Sequence, residues 1–168
     1  LEALSDASPH VRRVAADGLV DLADEQTIED LAEMLGLEDA VTRSQAMEVL
    51  ARLGSRSLPA MVSRLSDPDG DVRIFAANVL TSIGDPTCLE PLLAALSDPN
   101  ENVRYAVAEA LGRLDDSRAV EPLLELLHTD EWASFPAIEA LGHLQDPRAV
   151  EPLAALLADP WLRFPAVE

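Results

Sequence analysis

The chain has 168 residues, and its hydrophobic share of 48% excludes a disordered chain. Because only 4% of the residues are aromatic, we expect a core of small aliphatic side chains between helices. It carries 31 acidic residues against 12 basic residues, all of them arginine, and its formal net charge is -19. Because the arginines are spread along the chain without forming a basic patch, we expect no binding to nucleic acid or to an anionic membrane.

The acidity has two explanations. One is a basic partner protein, whose approach a negative surface would favour. The other is a source organism with a salty cytoplasm, in which carboxylate-rich and lysine-free surfaces keep proteins hydrated. The absence of lysine and the even spread of acid through every segment favour salt adaptation, while the basic partner stays an open alternative.

An internal repeat runs along the chain. A Val-Arg landmark begins at residues 11, 72 and 103, with a further copy near residue 41. A second landmark, Leu-Glu-Pro-Leu or Val-Glu-Pro-Leu, begins at residues 89, 120 and 150. A period of about 30 residues with helical spacing of the apolar positions predicts a stack of two-helix units.

The fourth unit shows how the residues encode its two helices. Five apolar residues recur at helical spacing: Val103, Val107, Ala110, Leu111 and Leu114. This stripe predicts helix A over residues 103–114. Asp-Asp-Ser at residues 115–117 supplies a turn and an N-cap, and Pro122 suits the first turn of helix B, which is predicted over residues 120–128. A single pair of helices cannot cover its own stripe, so each unit should be stable only against its neighbours.

The fifth unit opens differently from the others. Trp132, Phe135 and Pro136 replace the Val-Arg landmark, and the pattern returns with Trp161 and Phe164. A proline disfavours helical geometry in the residue before it, so helix A of this unit is predicted to begin at or just before Pro136. The aromatic residues have two interpretations. In one interpretation they form an exposed ridge that binds a partner. In the other they fill the space in the core that the altered turn leaves.

The units share the pattern Asp-Pro-x-x-x-Val-Arg-x-x-Ala-x-x-Ala-Leu-Gly-x-Leu-x-Asp-x-Arg-Ala-Val-Glu-Pro-Leu. This pattern resembles HEAT repeats, and more narrowly the short repeats of the phycobilisome-lyase-like subgroup. The resemblance covers essentially the whole chain and implies an all-α, right-handed superhelical solenoid of about five two-helix repeats. We expect one domain over residues 1–168, with repeats over about 8–37, 38–66, 67–97, 98–128 and 129–158, then the start of another, so that the chain is truncated at both ends. The resemblance also implies a ladder between successive repeats, formed by Asp67 with Arg73 and by Asp98 with Arg104.

The sequence shows no motif for catalysis or metal binding. Cys88 has no neighbouring histidine and stands where other units carry small or apolar residues, which predicts a buried core thiol. Residues 67–71 begin like a calcium loop, but the glycine and the twelfth residue do not fit one, so a turn is predicted. The three histidines, at positions 10, 128 and 143, show no metal-binding pattern. We therefore expect no enzyme activity, no cofactor and no metal site.

These observations predict a non-catalytic scaffold that binds another protein, with a basic protein as one option, along the inner face of the B helices. The glutamates expected on that face are Glu29, Glu33, Glu90, Glu121, Glu125 and Glu151. Two alternatives stay open. One is an accessory subunit or domain of a bilin-lyase-like enzyme, in which the openings at Trp132 and Trp161 contact a chromophore or a protein substrate. The other is a regulatory segment of a larger signalling protein. With no signal peptide and no long apolar run, we expect a cytoplasmic protein.

Overall fold

The computed structural model describes residues 1–129 and 134–156, and every regular element within them is helical. The chain divides into two compact units, Leu1–Asp85 and Pro86–Glu168. Unit 1 contains α1 Pro9–Leu22, α2 Glu25–Glu33, α3 Ala40–Leu53, α4 Leu58–Arg64 and α5 Gly70–Ile83. The described part of unit 2 contains α6 Leu89–Ala95, α7 Glu101–Arg113, α8 Val120–Thr129, α9 Ser134–Leu144 and α10 Val150–Leu156. None of the described helices is both long enough and apolar enough to cross a membrane.

The helices follow the predicted two-helix repeat, with odd-numbered helices as A helices and even-numbered helices as B helices. The predicted helices over residues 103–114 and 120–128 correspond to α7 and α8, with ends within two residues of the prediction. Helix α9 begins at Ser134, which places Pro136 in its first turn as predicted.

Short polar side chains cap the starts of several of these helices. Asp39, Asp69 and Asn100 accept hydrogen bonds from backbone N–H groups in the first turns of α3, α5 and α7. Asp116 and Asp146 do the same for the 3₁₀ turns that lead into α8 and α10. Each cap satisfies a backbone donor that has no partner within its own helix, which fixes where the helix begins.

The ends of the A helices differ between the two units. In unit 1, Gly54 and Gly84 follow α3 and α5 with φ of 59° and 64°. In unit 2, Asp115 and Gln145 take the corresponding positions with φ of 53° and 48°. Only glycine adopts this left-handed conformation without a steric cost, so unit 2 ends its A helices on strained residues.

An arginine closes the turn that precedes each of four A helices. Arg12, Arg43, Arg73 and Arg104 each donate from Nη1 to the backbone carbonyl six residues earlier, at 2.7 to 2.8 Å. This contact, which we call the arginine clip, joins the two sides of the turn that precedes the A helix. The predicted ladder between repeats, with Asp67 and Asp98 as its acids, stays a prediction.

The clip also sets the register of the second repeat. In the third and fourth repeats the residue before the arginine points inward, since Val72 and Val103 have exposures of 5% and 0%. In the second repeat that residue is Thr42, which is 5% exposed, whereas Val41 is 49% exposed. The landmark placed near residue 41 therefore begins at Thr42, because Arg43 and the Asp39 cap fix the position of α3.

The core of unit 2 is built around α7 and α9. Val103, Val107, Ala110 and Leu111 are completely buried as predicted, whereas Leu114, the last residue of the predicted stripe, is half-buried. Gly112 permits a close approach of the two helices, because a Cβ atom at this residue would lie 2.6 Å from the Cα of Ala140. The side chain of Cys88 has 1% exposure, so the prediction of a buried core thiol is also confirmed.

Candidate functional site

Three of the four candidate glutamates of unit 2, Glu90, Glu121 and Glu151, lie in the first turns of its B helices. The structure adds cations there that the sequence analysis did not consider. Glu90 in α6 accepts a hydrogen bond at 3.2 Å from Nη1 of Arg118, which belongs to the next repeat. The same guanidinium donates from Nη2 to Asp116 at 2.8 Å. Arg118 is therefore held between the carboxylate of its own turn and a carboxylate of the preceding B helix.

The arrangement repeats one unit later. Arg148 donates from Nη1 to Glu121 at 3.3 Å and from Nη2 to Asp146 at 2.8 Å. Its Nη2 also donates to the backbone carbonyl of Ser117 at 2.9 Å, which ties the turn before α10 to the turn before α8. We call these two groups of residues, together with Glu125 and Glu151, the B-helix ladder.

The Asp–Arg pairs of the ladder keep their charges over the physiological pH range. Hydrogen bonds from the side chain and then from the backbone N–H of Arg148 lower the pKa of Asp146 from 3.8 to about 2. The same donors of Arg118 lower the pKa of Asp116. In return, each aspartate raises the pKa of its arginine. The two Asp–Arg pairs are therefore fixed charges within a ladder that contains six carboxylates and two guanidinium groups.

The remaining candidate glutamates of unit 2 are Glu151 and Glu125. Glu151 occupies in α10 the position that Glu90 and Glu121 occupy in their helices, and its side chain is exposed. Glu125 lies on α8 at the mouth of a groove between α6 and α8 with a volume of about 240 Å³. Its carboxylate is exposed and stands beside the apolar residues Leu96 and Leu126.

The candidate aromatic residues are only partly described. Phe135 lies in the first turn of α9 and is 43% exposed. Trp132, Trp161 and Phe164 lie outside the described residues. The sequence analysis overlooked Tyr105, which is 42% exposed on α7 and stands at the same distance before its Ala-Leu-Gly motif as Phe135 does before its own. Aligning the repeats on that motif would have found it.

In unit 1 the equivalent face has a different pattern. Glu29 of α2 lies 3.5 Å from Nη2 of Arg64, whose Nη1 lies at the same distance from Asp67. Arg56, before α4, donates to the backbone carbonyls of Val20 and Ala23. Glu33 is exposed at the end of α2. The glutamate position of α4 is taken by Pro59, so the regular Glu–Arg pairing belongs to unit 2.

The arginines of the ladder were missed because the sequence analysis treated the glutamates separately from their neighbours. The signal was present in the motif Asp-x-Arg-Ala-Val-Glu, which occurs at residues 116–121 and 146–151. Within residues 1–129 and 134–156, no three histidine, cysteine, aspartate or glutamate side chains gather in a way that could hold a metal ion. The ladder offers charge and hydrogen bonding to a partner surface.

The comparisons with known proteins agree with the resemblance noted in the sequence. A family model for HEAT repeats matches residues 1–69 and 58–135, and a model for the PBS lyase HEAT-like repeat matches residues 137–159. A search of curated proteins gives no match.

Solved structures share the fold. A chain of the complex of CpcE and CpcF of phycocyanin lyase from Nostoc sp. PCC7120 is 25% identical, with a TM-score of 0.75 over 86% of this chain and 98% of that chain. A designed armadillo repeat protein, and a second one in complex with the peptide (KR)4, are each 17% identical and cover 99% of this chain and 94% of their own, with TM-scores of 0.52 and 0.57. At that identity, the two designed proteins support the fold alone. Since the HEAT-repeat model spans most of the sequence, this chain belongs to the HEAT-repeat family.

Proposed function

We propose that this chain is a non-catalytic scaffold that binds another protein through the B-helix ladder of unit 2. The observation that carries the proposal is the regular placement of exposed carboxylates on successive B helices, with Glu90, Glu121 and Glu151 in equivalent positions. A surface that presents the same group at each repeat suits an elongated partner, because each repeat adds one equivalent contact.

The charge of the ladder favours a basic partner. Arg118 and Arg148 neutralise only part of the six carboxylates, and the whole chain carries a formal net charge of -19. Such a surface accelerates the encounter with a positively charged protein and repels acidic ones. We expect this association to take place in the cytoplasm.

Salt adaptation explains the same acidity without a partner, so the experiment has to distinguish salt adaptation from binding of a basic partner. The chain is immobilised through its α-amino group, since it contains no lysine, and a lysate is passed over it at low and at high salt. The test variant replaces Glu90, Glu121 and Glu125 with Gln. The control variant carries Asp21→Asn, Glu38→Gln and Glu139→Gln, which removes the same charge from exposed residues that are not part of the ladder.

The proposal expects a partner that is retained by the wild type and by the control and is lost from the test variant, with weaker retention at high salt. A partner retained equally by all three proteins would overturn the role of the ladder. Failure to retain any partner, together with an unfolding midpoint that rises with salt, would overturn the scaffold and assign the acidity to the environment.

A second candidate function is that of an accessory subunit or domain in a bilin-lyase-like complex. It is favoured by the similarity to the phycocyanin lyase complex, at 25% identity over 86% of this chain. The test is to mix the chain with a linear tetrapyrrole and to separate bound from free pigment by gel filtration. Pigment that elutes with the chain supports this candidate, and pigment that elutes entirely as free ligand contradicts a chromophore-holding role.

A further inference from the structure

Two exposed aromatic side chains, Tyr105 on α7 and Phe135 on α9, occupy equivalent positions in successive A helices. Each stands five residues before the alanine of its own Ala-Leu-Gly motif, and their exposures are 42% and 43%. We call these two side chains the aromatic pair. The helices α7 and α9 both belong to unit 2 and approach each other closely at Gly112, so the pair lies on neighbouring helices.

The packing of the repeat does not require an aromatic residue at this position. Aligning the A helices on the arginine of the clip places Arg13, Ser44 and Ile74 where α7 has Tyr105. Arg13 and Ser44 are exposed, as Tyr105 is. A charged, a short polar and a branched apolar side chain therefore all suit the fold here, and the aromatic pair is a feature of the surface of unit 2.

Neither ring of the aromatic pair has a cation of its own chain as a partner. In unit 1 the guanidinium of Arg43 lies 4.6 Å from the ring centre of Phe75. Within residues 1–129 and 134–156, no cation lies over the ring of Tyr105 or of Phe135. The face of an aromatic ring attracts a cation that comes within about 6 Å of the ring centre. The pair therefore offers two rings to cations from outside the chain.

Carboxylates flank Tyr105 along α7. Glu101 and Glu109 stand four residues before and after it, which places all three on one face of the helix. Glu109 pairs with Arg113 at 3.1 Å. The carboxylate of the exposed Glu101 makes no hydrogen bond or ion pair to any part of the chain that the structure describes. A ring beside such a carboxylate, in a chain with a net charge of -19, attracts a cation and repels an anion.

The spacing of the aromatic pair suits an extended segment of a partner. Packed helices lie about 8–10 Å apart. Side chains two residues apart in an extended segment lie about 7 Å apart and point to the same side. The flexible stems of arginine and lysine cover the remaining distance. Two basic side chains from one segment can therefore reach both rings.

We propose that the aromatic pair is a second protein-binding surface, which receives two arginine or lysine side chains from an extended segment of a partner protein. Their cationic heads lie on the rings of Tyr105 and Phe135, and Glu101 supplies a carboxylate to the head on Tyr105. This surface goes beyond the proposed function, because it lies on A helices and shares no residue with the B-helix ladder.

The test uses a synthetic peptide of alternating serine and arginine, and a second peptide in which the uncharged isostere citrulline replaces each arginine. Tyr105 is the only tyrosine of the chain, so protein made with ring-labelled ¹³C-tyrosine gives NMR signals that report on this side chain alone. The comparison of the two peptides is made on the wild type at low salt, so it does not depend on the folding of a variant.

Five variants then measure the contribution of each group by fluorescence anisotropy of the labelled peptide. Tyr105→Leu and Phe135→Leu remove the rings and keep an apolar side chain, and Glu101→Gln removes the unpaired carboxylate. The controls are Val14→Ala, which shortens an exposed apolar side chain on α1, and Glu38→Gln, which removes an exposed charge.

We expect the arginine peptide to shift the ring signals of Tyr105 and the citrulline peptide to leave them in place. Each leucine variant should bind the arginine peptide about two- to fivefold more weakly, and Glu101→Gln about twofold more weakly, as for one exposed cation–π contact and one exposed ion pair. The controls should change binding by less than about 1.5-fold. Ring signals that do not move, equal shifts with both peptides, or leucine variants that bind like the wild type would each overturn the surface.

The outcome can be distinguished from that of the proposed function. A protein partner that is lost from the ladder variant, combined with ring signals that ignore both peptides, would overturn this inference and leave the ladder standing. Ring signals that respond only to the arginine peptide, combined with a failure to retain any protein from the lysate, would support the chemistry of the aromatic pair and overturn the ladder.

Discussion

The close approach of α7 and α9 makes two glycines of the same motif respond to substitution in opposite directions. Gly112 and Gly142 each follow an Ala-Leu pair inside an A helix. A Cβ atom at Gly112 would lie 2.6 Å from both the Cα and the Cβ of Ala140, whereas a Cβ atom at Gly142 meets no described atom within 4 Å. Replacing a helical glycine with alanine gains about 1 kcal/mol in propensity, and overpacking costs about 1–3 kcal/mol.

The overpacking cost at residue 112 should lie at the upper end of that range, because the added Cβ atom would clash with a backbone atom that cannot move away by changing rotamer. We therefore expect Gly112→Ala to lower the free energy of unfolding by about 1–2 kcal/mol, and Gly142→Ala to raise it by about 0.5–1 kcal/mol. Urea denaturation followed by the helical circular dichroism signal measures both. Adding Ala140→Gly to Gly112→Ala should restore little, since the Cα of residue 140 remains in the way. A Gly112→Ala protein at least as stable as the wild type would refute the close crossing.

Three further predictions concern the turns. Gln145→Gly should raise the free energy of unfolding by about 1 kcal/mol and Gly84→Ala should lower it by a similar amount, because both residues have positive φ; urea midpoints measure the two changes. Asp146→Asn tests the lowering of the pKa of Asp146 from 3.8 to about 2, which stabilises the fold above pH 3.8. The difference in urea midpoint between wild type and variant should therefore disappear as the pH falls from 4 toward 2. A difference that stays constant over this range would contradict the shift. Ser57→Ala should cost about 1 kcal/mol, because the buried hydroxyl donates to Leu50 O at 2.7 Å, while alanine at the exposed Ser55 should be neutral in the same denaturation assay.

The sequence was informative about the fold because each local signal agreed with the next. The stripe from Val103 to Leu111 fixed which face of α7 is buried, and the proline at position 136 fixed where α9 begins. The register of α3 was less certain, since Val41 and Thr42 both suit an inward position by size. The Asp39 cap and the Arg43 clip decide between them, and both depend on backbone geometry that a hydrophobic pattern does not contain.

The candidate site was harder to predict for a physical reason. Exposed arginine and glutamate side chains are long and gain little from any one pairing, so apolar periodicity does not specify their partners. Placing Glu90 and Glu121 on the B helices needed only the repeat, but their pairing with Arg118 and Arg148 depends on how successive turns lie beside each other. The groove beside Glu125 likewise depends on the spacing between α6 and α8.

The arginine clip has a consequence for how such a gene lengthens. Because the donor and the carbonyl acceptor stand only six residues apart, a unit cut outside that span, such as residues 67–97 or 98–128, contains both of them. A duplicated DNA segment that encodes one such unit therefore also encodes a complete arginine clip, wherever the segment is inserted. The Glu–Arg pairs of the ladder join residues of successive units, such as Glu90 and Arg118, and form only when the inserted copy has a matching neighbour. Duplication thus preserves the turns at once, while the charged face has to be regained by later substitution.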